Sequence, residues 1–454
     1  MGVKGISTAY ADFIAGISYA DLPGTVVAHA KERMLDTIGV SLAGYALMDF
    51  PRLIIDWVRE MGGANQATIV KTPGKFPAVN AALANGACAH GIDMDDGHRF
   101  GALHPGAVVV PAALAAAETA DATTQQLIVG VVAGYEVMIR IGMAINPSSL
   151  MRGFHTTGIT GVFGAVSAAA AIMKLSPEQT AGAIGLAGLQ AAGLLEVNHD
   201  NIGSMVKPVN PARAASSGLM SAILAKKGAI GPAAIFEGEG GFLKAFADEV
   251  QHDRLTHSLG HVFEISNAYN KFYASCRHTH AAIDAAIAAA GTGPVPTDRI
   301  ERIKVETYPV AITLAGIADP STVSAARFST TFSIALALAT GGAGADKYND
   351  ANVGDERIRA LSRKVELSVG ERWEKAYPQQ RGAGVTVYWR DGRVTTSEVP
   401  LAKGEPENPA SSEDIYNKFI ANAVLAVPAA HARHIGDVIL GIEKHRLGEF
   451  VALL

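Results

Sequence analysis

The sequence predicts a mainly α protein: a large all-helical domain built from both chain ends, residues 1–267 and 406–454, with a smaller α+β domain inserted at 268–405. Three observations predict it. A helical texture rich in Ala and Gly runs from about residue 8 to 230; segments that alternate or are rich in β-formers follow only after about 265; a capping signal beyond a linker then returns the tail to helix. At 454 residues the chain exceeds one ordinary core, which favours two or three domains.

In the first texture, Gly164 to Lys174 and residues 176–191 read as helices, the second opened by Ser176 as N-cap, Pro177 in the first turn and the first-turn acid Glu178. Small residues on helix faces let axes approach closely, so a tightly packed bundle follows. In the second texture, "RIERIKVETY" (299–308), "KVELSV" (364–369) and "VTVYWRDGRVTTSEV" (385–399) read as strands, with Asp391-Gly392 signalling a two-residue hairpin. "LAKGEPENPAS" (401–411) reads as the linker, and Ser411 with Asp414 as a capping box opening a helix over about 412–427.

Hydrophobic residues make up 49% of the chain and charged residues 18%, with a net charge of −5, which argues against nucleic acid as a partner. The N-terminus, "MGVKGISTAYADFIAG", has no continuous apolar signal core, and Ile6 stands where a myristoylation signal needs Ser or Thr. The most apolar run, roughly Gly158 to Met173, is shorter than the ~20 residues of a membrane span. A cytoplasmic protein without membrane contact is the expectation. Cys88 and Cys276 are the two cysteines, too few for a disulfide framework or for the thiolates of an iron–sulfur cluster. G-x-G-x-x-G, G-x-x-x-x-G-K-[ST], G-x-S-x-G and H-E-x-x-H are all missing, which moves nucleotide and triad chemistries down and leaves histidine as the proton carrier to follow.

"GIDMDDGHRFGALHPG" (91–106) gathers Asp93, Asp95, Asp96, His98, Arg99 and His104 between two stretches, 76–92 and 105–117, that contain no Asp, Glu, Lys or Arg. Asp93 and Asp96 share a face if the preceding helix continues that far, and His104, before Pro105 and Gly106, sits on a turn ahead of the next helix. A carboxylate and an imidazole facing one cavity fit this spacing; so does a polar loop with helix-capping aspartates. His155 beside Arg152 reads as a structural or a catalytic imidazole, and Lys207, between prolines and the sole charge between Asp200 and Arg213, as a solvated or a ligand-binding cation. Lys271, Arg277, His278 and His280 cluster where the two textures meet, and inter-domain clefts favour ligand sites. His278-x-His280 hints at a metal, but no third ligand has recognisable spacing, so no metal and no cofactor are expected.

These segments resemble the MmgE/PrpD family. The likeness rests on "HGIDMDDGHRFGALHPGAVVVPAALAAAE" (90–118), "GYEVMIRIG" (134–142), "RGFHTTGITGVFGA" (152–165), "KPVNPARAASSG" (207–218), "FEGEGGFLKAF" (236–246), "KFYASCRHTHAAIDA" (271–285), "RFSTTFSIALAL" (327–338) and "NPASSEDIYNKF" (408–419), in order along nearly the whole chain. It implies a helical domain with an α+β lid, a homodimer, and action on small polycarboxylates: members include 2-methylcitrate dehydratase, cis-aconitate decarboxylase and iminodisuccinate epimerase. By motif, Asp93, His104, His155, Lys207 and His280 match family active-site positions. Two departures stand out. Gly97 replaces the Thr that often follows the paired aspartates, and "FSTTF" places Phe332 where the decarboxylase carries a Tyr, which weakens that assignment and favours a changed substrate.

A di- or tricarboxylate needs cationic clamps, for which Lys207, Lys271 and Arg277 are the first candidates and Arg99 and Arg152 the weaker ones, with His278 and Ser329 as further substrate contacts. Dehydration, decarboxylation and epimerisation each build negative charge on carbon beside a carboxylate. The expectation is a lyase in which His104 or His155 moves the proton and Asp93 orients that imidazole, with an epimerase or a non-catalytic polycarboxylate binder as the competing readings.

Overall fold

Small side chains let this chain bring helix backbones almost into contact, and the resulting architecture is mostly helical with two small sheets. The computed structural model describes residues 5–198 and 205–454, so Met1–Lys4 of the N-terminal targeting segment considered above lie outside it. The helices Gly24–Leu47, Ala78–His90, Gly106–Ala120, Thr124–Ile145, Thr156–Met173 and Val209–Lys226 form the centre of the bundle. At Gly44 an added Cβ would overlap the carbonyl of Cys88 on the neighbouring helix, and at Gly218 it would stand 2.6 Å from the carbonyl oxygen of Val162. Glycine is what permits these crossings.

Apolar side chains form two main cores. The larger contains residues between Tyr10 and Ala268 and also Ile415, Phe419, Ile435 and Phe450 near the C-terminus. Phe419 lies against Gly39, and buried Lys418 pairs with Asp36 at 2.5 Å, so the Ser412–Ala423 helix is fixed to Gly24–Leu47 by packing and by charge. The second core draws on residues between Ala274 and Ala402, plus Val40, Ala43, Ile92 and Met94. Ile92 and Met94 flank Asp93, so the acidic loop is held between the cores. Thr124–Ile145 and Thr156–Met173 are long and apolar enough to cross a bilayer, and 100% and 94% of their most apolar windows are buried against protein. The 22-residue Thr124–Ile145 helix is longer than the apolar run the sequence reading singled out.

The capping signals at Ser176 and Ser411 are realised. Each hydroxyl accepts from the amide three residues on, opening Pro177–Gly188 and Ser412–Ala423, both shorter than expected. Residues after about 265 do supply a sheet: β3 (Ile300–Thr307), β4 (Val365–Val369), β5 (Ala383–Trp389) and β6 (Val394–Val399), in spatial order β4-β3-β5-β6 with β3 and β4 parallel. Alternate residues Ile303, Val305, Val385 and Val387 point into the second core. The β5–β6 connection takes in four residues, not two: Gly392 is left-handed (φ 86°), and the Asp391 carboxylate accepts from the Arg393 amide. A hairpin of β1 (Ala67–Ile69) and β2 (Thr72–Phe76) interrupts the helical half, where none was expected; the Thr-Ile-Val run followed by Pro73-Gly74 was its local signal.

Replacing Gly44 by Ala forces two helices apart. The expected result is a loss of about 1–3 kcal/mol in thermal or denaturant unfolding; an unchanged melting temperature would show that the crossing has slack.

Candidate active site

The helix Ala78–His90 ends just ahead of the acidic loop, so Asp93 and Asp96 do not share a helical face and meet different partners. Asp93 adopts a left-handed backbone (φ 52°), uncommon for a non-glycine residue. Its carboxylate receives the ammonium of Lys207 at 2.8 Å and lies 3.3 Å from that of Lys271, which also donates to the Asp93 carbonyl. Burial opposes ionisation of Asp93, but the two lysines outweigh it and hold the carboxyl well below the usual range. In return Asp93 raises the pKa of buried Lys207, whereas burial pulls Lys271 down.

Asp96 follows the structural reading: it accepts from Tyr135 Oη at 2.7 Å and from the amide of Gly106 at 2.9 Å, securing the start of the next helix. Burial raises it to about 7. Asp95 takes the place expected of Asp93 beside the imidazoles. Its Oδ2 lies 2.9 Å from His90 Nδ1 and 3.4 Å from His104 Nδ1, and it is fully buried. His104 Nδ1–H donates to the Asp96 carbonyl at 2.8 Å, which leaves Nε2 as the ring nitrogen with a free lone pair. Burial, chiefly, lowers His104 to about 3, so the ring is a neutral base. The three side chains also bring possible metal-ligand atoms within 4.8 Å of one another, a cluster the His278-x-His280 spacing did not indicate. An ion there would have to displace the His90–Asp95 hydrogen bond.

A cavity of about 330 Å³ opens beside these groups. Arg99, Lys207, Arg254, Lys271, Arg277 and Arg381 line it, with Asp93 as the one carboxylate among the described lining residues. Glu405 stands behind, paired with Arg277 at 3.0 Å and 3.6 Å from Arg99, which also meets Glu407. Arg381 has no carboxylate partner among the described residues; it donates to the Arg99 carbonyl. His104, His155 and His278 share the wall, as do Tyr269 and Cys276, and Phe100, Leu150 and Leu314 lie toward its more exposed side.

Of the residues singled out from sequence, Asp93, Arg99, His104, His155, Lys207, Lys271, Arg277 and His278 meet at this cavity. His155 caps the Thr156–Met173 helix, with its Nδ1 buried and unpartnered among the described residues. Three others stand elsewhere. His280 is outside the wall with both ring nitrogens engaged: Nδ1 accepts from Arg277, and Nε2–H donates to the Ser275 carbonyl. Arg152 lies on the surface against Asp248, because its own loop turns it outward. Ser329 is a buried N-cap accepting from the amide of Phe332, and Phe332 itself fills the second core. Sequence reasoning missed His90, Asp95, Tyr269, Arg254 and Arg381; of these only Asp95 stood in a segment rich enough in titratable groups to be noticed.

A model of the MmgE/PrpD N-terminal domain matches residues 8–255, and one of the MmgE/PrpD C-terminal domain matches 273–444. The cis-aconitate decarboxylase-like protein oryM of Aspergillus oryzae is 24% identical over 473 residues, covering 99% of this chain and 97% of its own. The cis-aconitate decarboxylase of Aspergillus terreus is 24% identical over 464 residues (97% and 94%), and that of Homo sapiens 26% over 446 residues (93% and 89%).

The buried imidazoles also dictate how stability depends on pH. Burial lowers His98 and His104 to about 3 and His155, His278 and His280 well below their ordinary value, so the unfolded chain, with His near 6.5, binds more protons as pH falls. Asp96 and Glu136, raised to about 7 mainly by burial, act with the opposite sign over a similar window. Five imidazoles outnumber two carboxyls, so the melting temperature should fall as pH drops from 7 to 5, each unbalanced proton contributing up to about 1.4 kcal/mol per pH unit. A flat or rising profile would mean the imidazoles are charged in the folded protein.

Proposed function

The chain belongs to the MmgE/PrpD family, and on that premise we propose that it is a lyase acting on a small di- or tricarboxylate by proton transfer at the carbon next to a carboxylate. One observation carries this reading: among the described residues, six cationic side chains and a single carboxylate line a cavity that also holds a neutral imidazole with a free nitrogen. Lys207 and Lys271 are buried and share the single carboxylate of Asp93, a local excess of positive charge that is costly unless an anion completes it. A polycarboxylate supplies that anion. We also read residues 1–267 with 406–454 as one domain and 268–405 as a smaller lid, a division supported by the two cores and by a cavity lined from both.

In the dehydratase form, His104 Nε2 accepts the proton as the C–H bond breaks. The electron pair spreads into the adjacent carboxylate, where Lys207, Lys271 and the arginines stabilise it, and a C=C bond forms as the β-hydroxyl leaves with a proton as water. In the decarboxylase form, the C–C bond to a carboxylate breaks and carbon dioxide leaves. Its electron pair remains on carbon conjugated to a second carboxylate, and an imidazolium returns a proton there. Both directions require His104 to hold a proton for part of the cycle. Bound carboxylates raise its proton affinity, and Asp95, 3.4 Å from Nδ1, supports the imidazolium. Asp93, already neutralised by two lysines, holds those lysines in place and does not orient the imidazole.

The test is a panel of C4 to C7 di- and tricarboxylates followed by proton NMR in heavy water. Turnover with deuterium entering at the carbon α to a carboxylate is expected, and His104→Ala and His155→Ala should each lower it by about 10²–10⁴-fold. Near-normal rates in both variants would remove the histidine mechanism, and tight binding without exchange for every acid would replace the lyase with a binding protein; loss of optical rotation without an alkene would make it an epimerase.

A further inference from the structure

Gly97 and Tyr269 form a fitted pair at the edge of the cavity. Their backbones exchange two hydrogen bonds, Gly97 N–H to the Tyr269 carbonyl at 3.1 Å and Tyr269 N–H to the Gly97 carbonyl at 2.7 Å, in an isolated antiparallel bridge. The phenol folds back over this bridge. A Cβ on residue 97 would lie 2.5 Å from Tyr269 Cζ and 2.8 Å from Cε2 and would overlap the hydroxyl itself. Any residue but glycine at 97 therefore has to displace the ring. The ring is also held from its face, with the Arg277 guanidinium 4.6 Å from its centroid.

The hydroxyl so positioned has no partner among the described residues, although Tyr269 is 3% exposed and lines the cavity. Buried phenols normally spend their O–H on a protein acceptor, as Tyr135 does on Asp96 and Tyr308 on His278. Arg381 and Arg277 are the foremost charges acting on it, with the Glu405 carboxylate opposing them more weakly. Burial keeps the phenol protonated far above neutral pH, so it is a donor. A donor among guanidinium groups, with its O–H unspent, is completed by an anionic oxygen.

From this geometry we propose that Tyr269 is a substrate-contacting residue whose phenol donates a hydrogen bond to a carboxylate oxygen of the bound acid, and that Gly97 is its positioning residue. The proposal rests on the polycarboxylate reading above. It adds a neutral, directional donor to a set of point charges, which fixes which carboxylate lies at that end of the cavity.

Isothermal titration with tricarballylate, citrate and succinate tests it. Tyr269→Phe keeps the ring and its packing, and should weaken the tightest of these ligands about tenfold or more, as loss of a hydrogen bond to a charged acceptor does. Gly97→Ala, which removes no polar group, should weaken the same ligand by displacing the phenol, and in the Tyr269→Phe background it should cost much less than it does alone. Melting temperatures within a few degrees of the parent establish that both variants are folded; a Gly97→Ala chain that does not fold leaves the Tyr269→Phe comparison to decide. Equal affinity of the parent and Tyr269→Phe overturns the role of Tyr269 and leaves the polycarboxylate reading standing. Failure of the parent to bind any of the three acids overturns both.

Discussion

The site depends on one buried ion triplet, the Asp93 carboxylate held by the ammonium groups of Lys207 and Lys271. Its members come from distant parts of the chain: the loop after Ala78–His90, the entry to Val209–Lys226, and the segment ahead of His280–Ala290. Lys271 grips both the side chain and the carbonyl of Asp93 and so holds that residue in its left-handed backbone. Withdrawing one partner from such a group leaves a buried charge uncompensated, at a cost of about 3–5 kcal/mol. Two cations share one anion here, and Arg381 adds a further cation without a carboxylate partner among the described residues. The wall of the cavity around Asp93 therefore carries a local excess of positive charge.

Within four positions the chain places three acids in three environments. Asp93 faces lysines and is held ionised; Asp95 faces two imidazoles, which keep its carboxyl below the usual range; Asp96 faces a phenol and a helix amide and has its pKa raised by burial. Lysine pairing, imidazole contact and local folding are thus separated among neighbours that composition cannot tell apart. The separation also frees His104. With its Nδ1 proton committed to a backbone carbonyl and Asp95 alongside, the ring presents Nε2 to the cavity in a defined tautomer.

What the sequence revealed was governed by range. The caps at Ser176 and Ser411 are local hydrogen bonds over three residues, and the alternation in β3 and β5 reports one buried face, so both could be read directly. The density of acids and imidazoles in 91–106 marked the site, and most of the residues drawn from the motifs do converge there. Roles were harder. Asp93, expected beside an imidazole, leaves that place to Asp95 because Lys207 and Lys271 arrive at Asp93 from more than a hundred positions away. Arg152 and Arg381 reverse in the same manner: the first lies beside the His155 segment yet turns to Asp248 on the surface, while the second has no motif near it and enters the cavity through tertiary structure. His280 keeps its motif neighbours but spends both nitrogens on them.

A crystal structure of the protein soaked with tricarballylate tests the electrostatic account most directly. The account predicts carboxylate oxygens within hydrogen-bonding distance of the Lys207 ammonium and the Arg381 guanidinium, with the Lys207–Asp93 contact kept. An acid bound only outside the cavity, or a cavity that stays free of the acid while the lysines and arginines keep their present partners, would contradict it.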